Sequence, residues 1–157
     1  MIQPGQPLPP FSLADDRGGI VTPATLAGAW TVLYAYPKDA TPGCTVEACD
    51  FRDHWARVQA AGARVYGISR DTVASHQKFV AKQELPFPLL SDPDKALLGP
   101  LGAWGRKVMY GKEMDGIIRS TFLVDPAGVV RHVWPKVSVK GHVEAVLAKL
   151  AELGRHA

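Results

Sequence analysis

Thr31-Val32-Leu33-Tyr34-Ala35-Tyr36-Pro37, then Thr41-Pro42-Gly43-Cys44-Thr45-Val46-Glu47-Ala48-Cys49, then Arg64-Val65-Tyr66-Gly67-Ile68-Ser69 decide the fold between them. The first run is β-branched and aromatic, and a proline stops it, so it reads as a buried strand. A helix is expected from about Pro42 to Ala61, with a proline at its first position and Gly62 in the helix-stop position. Arg64 to Ser69 reads as a second strand. Strand, helix, strand in this spacing is the unit from which parallel sheets are built.

Outward from this unit, Thr72 to Lys82 reads as a second helix, with Val73, Gln77 and Val80 near helical spacing. Pro86 to Pro93 reads as a turn-rich connection and Lys95 to Leu101 as a short helix. Thr121 to Val124 and Val129 to Val133 are joined by Asp125-Pro126-Ala127-Gly128, which has the chemistry of a hairpin turn. Val143, Val146, Leu147, Leu150 and Leu153 fall on one face of a closing helix. Before the decisive stretch, Phe11 to Leu13 and Ile20-Val21 flank a polar turn and read as a small hairpin. This order predicts an α/β thioredoxin-like fold, a mixed central sheet flanked by helices with an N-terminal β-hairpin extension, in a single domain over residues 1–157.

The chain of 157 residues is long enough to bury a core without a disulfide or metal. Eighteen Lys and Arg against fifteen Asp and Glu give a net charge of +3, and the cations alternate with acids in place of forming a basic run. That argues against nucleic acid as a partner. The longest uncharged stretch, Gly18 to Pro37, is broken by threonines, glycine and proline, which argues against a membrane span. The start, MIQPGQPLPPF, lacks the basic and apolar regions of a signal peptide, so a cytoplasmic location is expected. Thiols are kept reduced there, which directs attention to the two cysteines as chemical groups.

With Thr41 as cap and Pro42 at the first position, Cys44 falls in the first turn of its helix. Free N–H groups and the positive end of the helix dipole favour a thiolate there. A buried cysteine acting as a small hydrophobe is the alternative. Cys49 follows five residues later; on an ideal helix the two Cα atoms lie roughly 8.6 Å apart. A disulfide needs about 4.4–6.8 Å. If the two are redox partners, the first turns must therefore unwind. A metal centre is not expected, because no Cys-x-x-Cys or His-x-x-x-His pair is present and His54 is poorly placed to join Cys49.

The segment YAYPKDATPGCTVEACDFRD, Tyr34 to Asp53, resembles the active-site segment of the peroxiredoxins. More narrowly, it is similar to the peroxiredoxin Q group, the bacterioferritin comigratory proteins. Pro37, Thr41 and Cys44 match the Pro-x-x-x-Thr-x-x-Cys pattern, and a second cysteine five residues on marks the subgroup. Gly102-Ala103-Trp104-Gly105 and Arg119 to Asp125 resemble later landmarks.

The resemblance implies a thiol peroxidase acting on hydrogen peroxide and organic hydroperoxides without a cofactor. Cys44 would be the peroxidatic cysteine, passing through a sulfenic acid. Cys49 would resolve it as an intrasubunit disulfide, and thioredoxin or a similar dithiol would restore both thiols. Gly43 and Cys44 amides, the Thr41 hydroxyl and the Arg119 guanidinium would donate to the peroxide oxygens, while Pro37 shields the thiolate. The resemblance also favours a monomer. A peroxide sensor that passes its oxidation to a partner protein is the alternative function.

Other residues read more plainly. Glu47 matches a position the group fills with an acid, but a solvated helix carboxylate fits equally. Trp104 reads as a packing residue, and Trp30, Trp55 and Trp134 as core or near-core. His54, His76, His132, His142 and His156 lack neighbours suggestive of a catalytic triad. Arg106 stands where many relatives are expected to carry an acid.

Overall fold

The structure, a computed structural model, describes residues 1–154. Its elements are β1 (Leu13–Asp15), β2 (Ile20–Val21), α1 (Pro23–Leu26), β3 (Trp30–Ala35), α2 (Pro42–Asp53), α3 (Trp55–Ala60), β4 (Ala63–Ser69) and α4 (Val73–Gln83). They continue with β5 (Leu89–Ser91), α5 (Leu98–Leu101), β6 (Trp104–Met109), β7 (Lys112–Ile117), β8 (Ser120–Val124), β9 (Val130–Trp134) and α6 (His142–Gly154). Seven strands form one sheet in the order β2-β1-β5-β4-β3-β8-β9, and β6 pairs only with β7. Neighbours β3, β4 and β5 are parallel, while β1, β2, β8 and β9 join antiparallel. This is the thioredoxin-like mixed sheet that the order of elements predicts.

Alternation along β3 shows how the layers form. Val32, Tyr34 and Tyr36 join one buried cluster, with Ala48 and Phe51 of α2, Phe79 of α4 and Val146 and Leu150 of α6. Leu33 and Ala35 join the other, with Leu26 of α1 and Leu97, Leu98 and Leu101 around α5. Successive side chains of a strand point to opposite faces, so a strand covered on both sides is apolar throughout. Every residue of β3 is buried.

Some sequence expectations change. The long helix from Pro42 divides at His54, whose φ of −100° and ψ of 14° end α2 before α3 begins. The His54 imidazole lies 2.8 Å from the Asp50 carbonyl, a local side-chain bond that competes with continued helix. The connection from Pro86 to Pro93 contains β5, because its prolines flank the three strand residues and leave their N–H groups free to pair. A further hairpin, β6 with β7, fills the interval before Arg119. It turns through Tyr110 and Gly111, both at positive φ, as a two-residue hairpin turn requires. The N-terminal hairpin forms as expected, and through β1, which pairs with β5, it extends the main sheet.

Candidate active site

The centre of β3 delivers its chain to the sheet edge at Tyr36, whose amide donates to Ile68 O. Pro37 to Ala40 then form the loop that enters α2. Thr41 takes the N-cap position with extended backbone, and its carbonyl accepts from Thr45 N at 2.9 Å. Its hydroxyl, however, donates to Lys38 O at 2.8 Å and does not cap the helix. The expected side-chain cap is thus corrected: a nearer carbonyl takes the proton. The first-turn N–H groups of α2 remain available to an anion.

Cys44 lies in that first turn, 1% exposed. Arg119, immediately before β8, reaches across to it: Nη2 donates to Cys44 Sγ at 3.2 Å and Nη1 donates to Glu47 Oε1 at 2.6 Å. The guanidinium therefore bridges the sulfur and a carboxylate one helical turn apart. Arg119 is itself anchored, since its carbonyl accepts from Val137 N at 2.8 Å. Gly43 permits this approach. A Cβ there would sit 3.2 Å from Nη2, closer than comfortable contact. The resemblance singled out Gly43 for its amide; the structure adds the space it leaves for the guanidinium.

Glu47 is fully buried, so the solvated-carboxylate reading is overturned. Burial pushes its carboxyl up to about 7, and the Arg119 charge pulls only partly back. Its second oxygen, Oε2, has no hydrogen-bond partner among the described residues. Tyr34, also wholly buried and near enough for the Glu47 charge to act on it, is stacked on Tyr36 and Phe51. Burial among these rings strengthens the local electrostatics. The Arg119 charge also acts on His142. Burial first, then the Arg119 charge, lowers that imidazole to about 4, and it pairs with Thr121 Oγ1 at 2.8 Å.

The mouth of the site is a cleft of about 640 Å³ lined by Pro37, Lys107, Val108, Ile117, Arg119 and Val137, among others. Pro37 is among the residues at its rim. The hairpin supplies the opposite wall, including Lys107, whose ammonium donates to Ile117 O at 2.7 Å and is pushed to lower pKa by burial and Arg119. Trp104 packs against the core, with the Arg70 and Lys95 cations 5.0 and 4.6 Å from its ring centre. Arg106 is exposed and pairs across the hairpin with Asp115 at 3.7 Å.

Cys49 is half-buried on the same helix, and its thiol faces Gln83 Oε1 at 3.4 Å. Arg52 donates to the Gln83 carbonyl at 2.7 Å, so the end of α4 closes over this part of α2. Both cysteines are free thiols, held apart by an unbroken helix.

Sequence reasoning missed two features. Glu47 was readable as a neighbour of Cys44, because residues three apart share a helix face; its burial was not. Asp39, Tyr36, Ser75 and His76 form a second polar cluster that joins the segment after β3 to α4, two stretches far apart in sequence. Asp39, Asp71 and His76 bring ligand-type atoms within 4.8 Å of one another, but each is committed to hydrogen bonds with protein groups. The hydrogen bonds join the cluster into a polar network. Trp30 is buried, and Trp55 and Trp134 are partly buried against the core. His156 lies outside the described residues.

The chain is similar to known proteins. The AhpC/TSA family profile matches residues 4–133. A putative peroxiredoxin bcp of Coxiella burnetii is 48% identical over 149 residues, covering 95% of this chain and 99% of that protein. Peroxiredoxin Bcp of Bacillus subtilis is 43% identical over 152 residues, 97% of each chain. A solved structure of the Xanthomonas campestris bacterioferritin comigratory protein, described in terms of its alkyl peroxide reduction activity, superposes with a TM-score of 0.87 at 46% identity, covering 92% of each chain. A cysteine-to-serine mutant of Xylella fastidiosa PrxQ gives 0.90 at 37% identity over 97% of each. With a first-turn cysteine under an arginine clamp on a thioredoxin-like sheet, and relatives of this closeness, the chain belongs to the AhpC/TSA family and is a peroxiredoxin of the Bcp/PrxQ group, a peroxidase that takes a peroxide as substrate and a thiol as reductant.

Proposed function

We propose that this peroxiredoxin is an atypical two-cysteine peroxidase, recycled by thioredoxin or a similar dithiol, that reduces hydrogen peroxide and organic hydroperoxides as a cytoplasmic monomer. The observation that carries the reading is the Arg119 bridge between Cys44 Sγ and Glu47. A permanent cation against the sulfur favours the thiolate and offers further N–H donors to the oxygens of a bound peroxide.

Cys44 thiolate attacks the terminal peroxide oxygen; the O–O bond breaks, the leaving alkoxide takes a proton as ROH, and the sulfur becomes a sulfenic acid. The Thr41 hydroxyl, expected to donate to the peroxide, already gives its proton to Lys38 O, so its oxygen instead offers lone pairs to the peroxide O–H. Pro37, at the cleft rim, shields the sulfur, and Val108, Ile117 and Val137 provide an apolar wall for an organic substituent. Alkyl peroxide reduction by the Xanthomonas relative supports that range. Cys49 thiol then attacks the sulfenic sulfur and releases water, leaving a disulfide for exchange with the dithiol. The first turn is exposed at Pro42, Gly43 and Val46, and it lacks a side-chain cap, which favours the local unwinding this step needs.

Single-turnover chemistry tests the assignment. Cys44→Ser is expected to abolish peroxide consumption. Cys49→Ser is expected to consume one equivalent and then stall with thioredoxin. Multiple turnover by Cys44→Ser would refute the reading, and a lasting mixed disulfide with another protein would favour the sensor instead.

A further inference from the structure

We propose that Asp39 and His76 form a buried latch that positions the Pro37–Thr41 loop and sets how readily the first turn of α2 releases Cys44. This rests on the reading of Cys44 and Cys49 as peroxidatic and resolving cysteines.

His76 is wholly buried on α4. Its Nε2 lies 2.9 Å from the Leu90 carbonyl of β5, and its Nδ1 lies 2.8 Å from Asp39 Oδ2. A carbonyl oxygen only accepts, so Nε2 carries a proton. Asp39 Oδ2 already accepts from Ser75 Oγ at 2.8 Å, and Oδ1 accepts from Tyr36 Oη. Those bonds, with the one from His76, hold the Asp39 carboxyl below its ordinary pKa although burial opposes them. One proton lies between Nδ1 and Oδ2, so the imidazole and the carboxyl are joined by a short hydrogen bond, and every polar atom of the pair has a partner.

The loop is held by this one residue from several directions. The Asp39 side chain is tied to β3 through Tyr36 and to α4 through Ser75 and His76. Its own amide donates to Asp71 Oδ2 at 2.9 Å in the turn between β4 and α4, and Ser69 Oγ donates to the same oxygen at 2.6 Å. The next residue, Ala40, has a φ of 63°, the left-handed region that a residue with a Cβ rarely adopts. An unfavourable backbone conformation persists where surrounding contacts impose it. Directly after it, α2 begins without a side-chain cap. The start of α2 is therefore held from one side by Arg119 on the sulfur and from the other by Asp39 on the loop.

Loosening the loop favours the exit of Cys44, and exit decides the fate of its sulfenic acid. A released sulfenic acid condenses with Cys49, forming a disulfide and water. One retained in the helix can meet a second hydroperoxide, which oxidises it to sulfinic acid and leaves as an alcohol. The latch thus sets the ratio of sulfinate to disulfide under excess peroxide. It acts through the loop and touches neither substrate nor sulfur, so Asp39 and His76 are positioning residues.

Two measurements test it. In protein labelled with ¹⁵N-histidine, His76 Nε2 is expected to carry a proton that exchanges slowly with solvent; a bare Nε2 or rapid exchange would overturn the buried latch. Under a fixed excess of hydrogen peroxide, Asp39→Asn is expected to lower the sulfinate-to-disulfide ratio by about tenfold, the scale of one charge-assisted hydrogen bond. Ser75→Ala, which removes a single bond to Asp39, is expected to lower it by about threefold and serves where Asp39→Asn does not fold. A ratio unchanged in the folded variants, with wild type forming the disulfide, would overturn the latch alone. Wild type forming no disulfide with one equivalent of peroxide would overturn the cysteine reading and the latch with it.

Discussion

Two buried charge clusters flank the entry to α2, and they are finished differently. Around Asp39, both carboxylate oxygens and both ring nitrogens of His76 have partners. Around Cys44, Arg119 spreads its donors between a sulfur and a carboxylate, and neither Glu47 Oε2 nor the buried Tyr34 Oη has a hydrogen-bond partner among the described residues. Buried polar groups without partners are costly, and native folds tolerate them mainly where function needs them. The satisfied cluster fixes the backbone; on the proposed function, the unsatisfied one leaves its interactions for reacting atoms.

The largest test of this contrast removes its pivot. Arg119→Met is expected to lower kcat/KM for peroxide by about 10²–10³, the effect of losing one fixed donor to developing negative charge. Measured unfolding free energy should fall by less than the matching barrier increase. Equal losses in both would make Arg119 a structural ion-pair partner and erase the contrast.

A smaller effect comes from Glu47. Its folded carboxyl, raised from 4.5 to about 7, binds protons more tightly than the unfolded one. The wild type is therefore stabilised below about 4.5 relative to Glu47→Gln and loses that advantage as pH rises towards 7, by at most about 3 kcal/mol. Denaturant titrations of both proteins across this range show it as a crossing trend. Arg119 gains a full counter-charge as Glu47 ionises, so an inflection near 7 in wild-type kcat/KM should disappear in the variant.

His142 sharpens the same side of the comparison with the opposite sign. A histidine lowered from 6.5 to about 4 contributes stability that is present above 6.5 and lost as pH falls through the interval to 4. His142→Gln should flatten that acid limb by roughly 1–3 kcal/mol, read by thermal or denaturant unfolding. In the satisfied cluster, Tyr36→Phe deletes one bond to Asp39 and should cost about 1–2 kcal/mol of stability while single-turnover peroxide oxidation stays within about threefold. A loss of oxidation rate as large as that of Arg119→Met would place the Asp39 cluster in the chemistry itself.

What was legible in the sequence follows from what is local. Thr31 to Tyr36, Thr72 to Lys82 and Val143 to Leu153 carry their structure in short-range patterns, and each forms close to the expected bounds. Cys44 in a first turn follows from Pro42 alone. The β6-β7 hairpin was invisible because a two-stranded ribbon with exposed faces needs no apolar alternation, and Arg106, Lys107, Lys112, Glu113 and Asp115 supply none. β5 was hidden by neighbouring prolines that bracket it. In the site, Arg119 came from resemblance and Glu47 from spacing, yet their meeting depends on β8 lying beside β3. His76 reaches Asp39 across 37 residues, a contact no local pattern records. Thr41 was read correctly as the cap position, but a carbonyl three residues back claimed its proton.

The central claim is that Cys44 is the activated thiol and Cys49 its resolving partner within one chain. The most direct test is intact mass and free-thiol content of fully reduced protein before and after one equivalent of hydrogen peroxide. Loss of both thiols and of two hydrogens, with no dimer, is the predicted result. Retention of both thiols, or a disulfide-linked dimer, would contradict it.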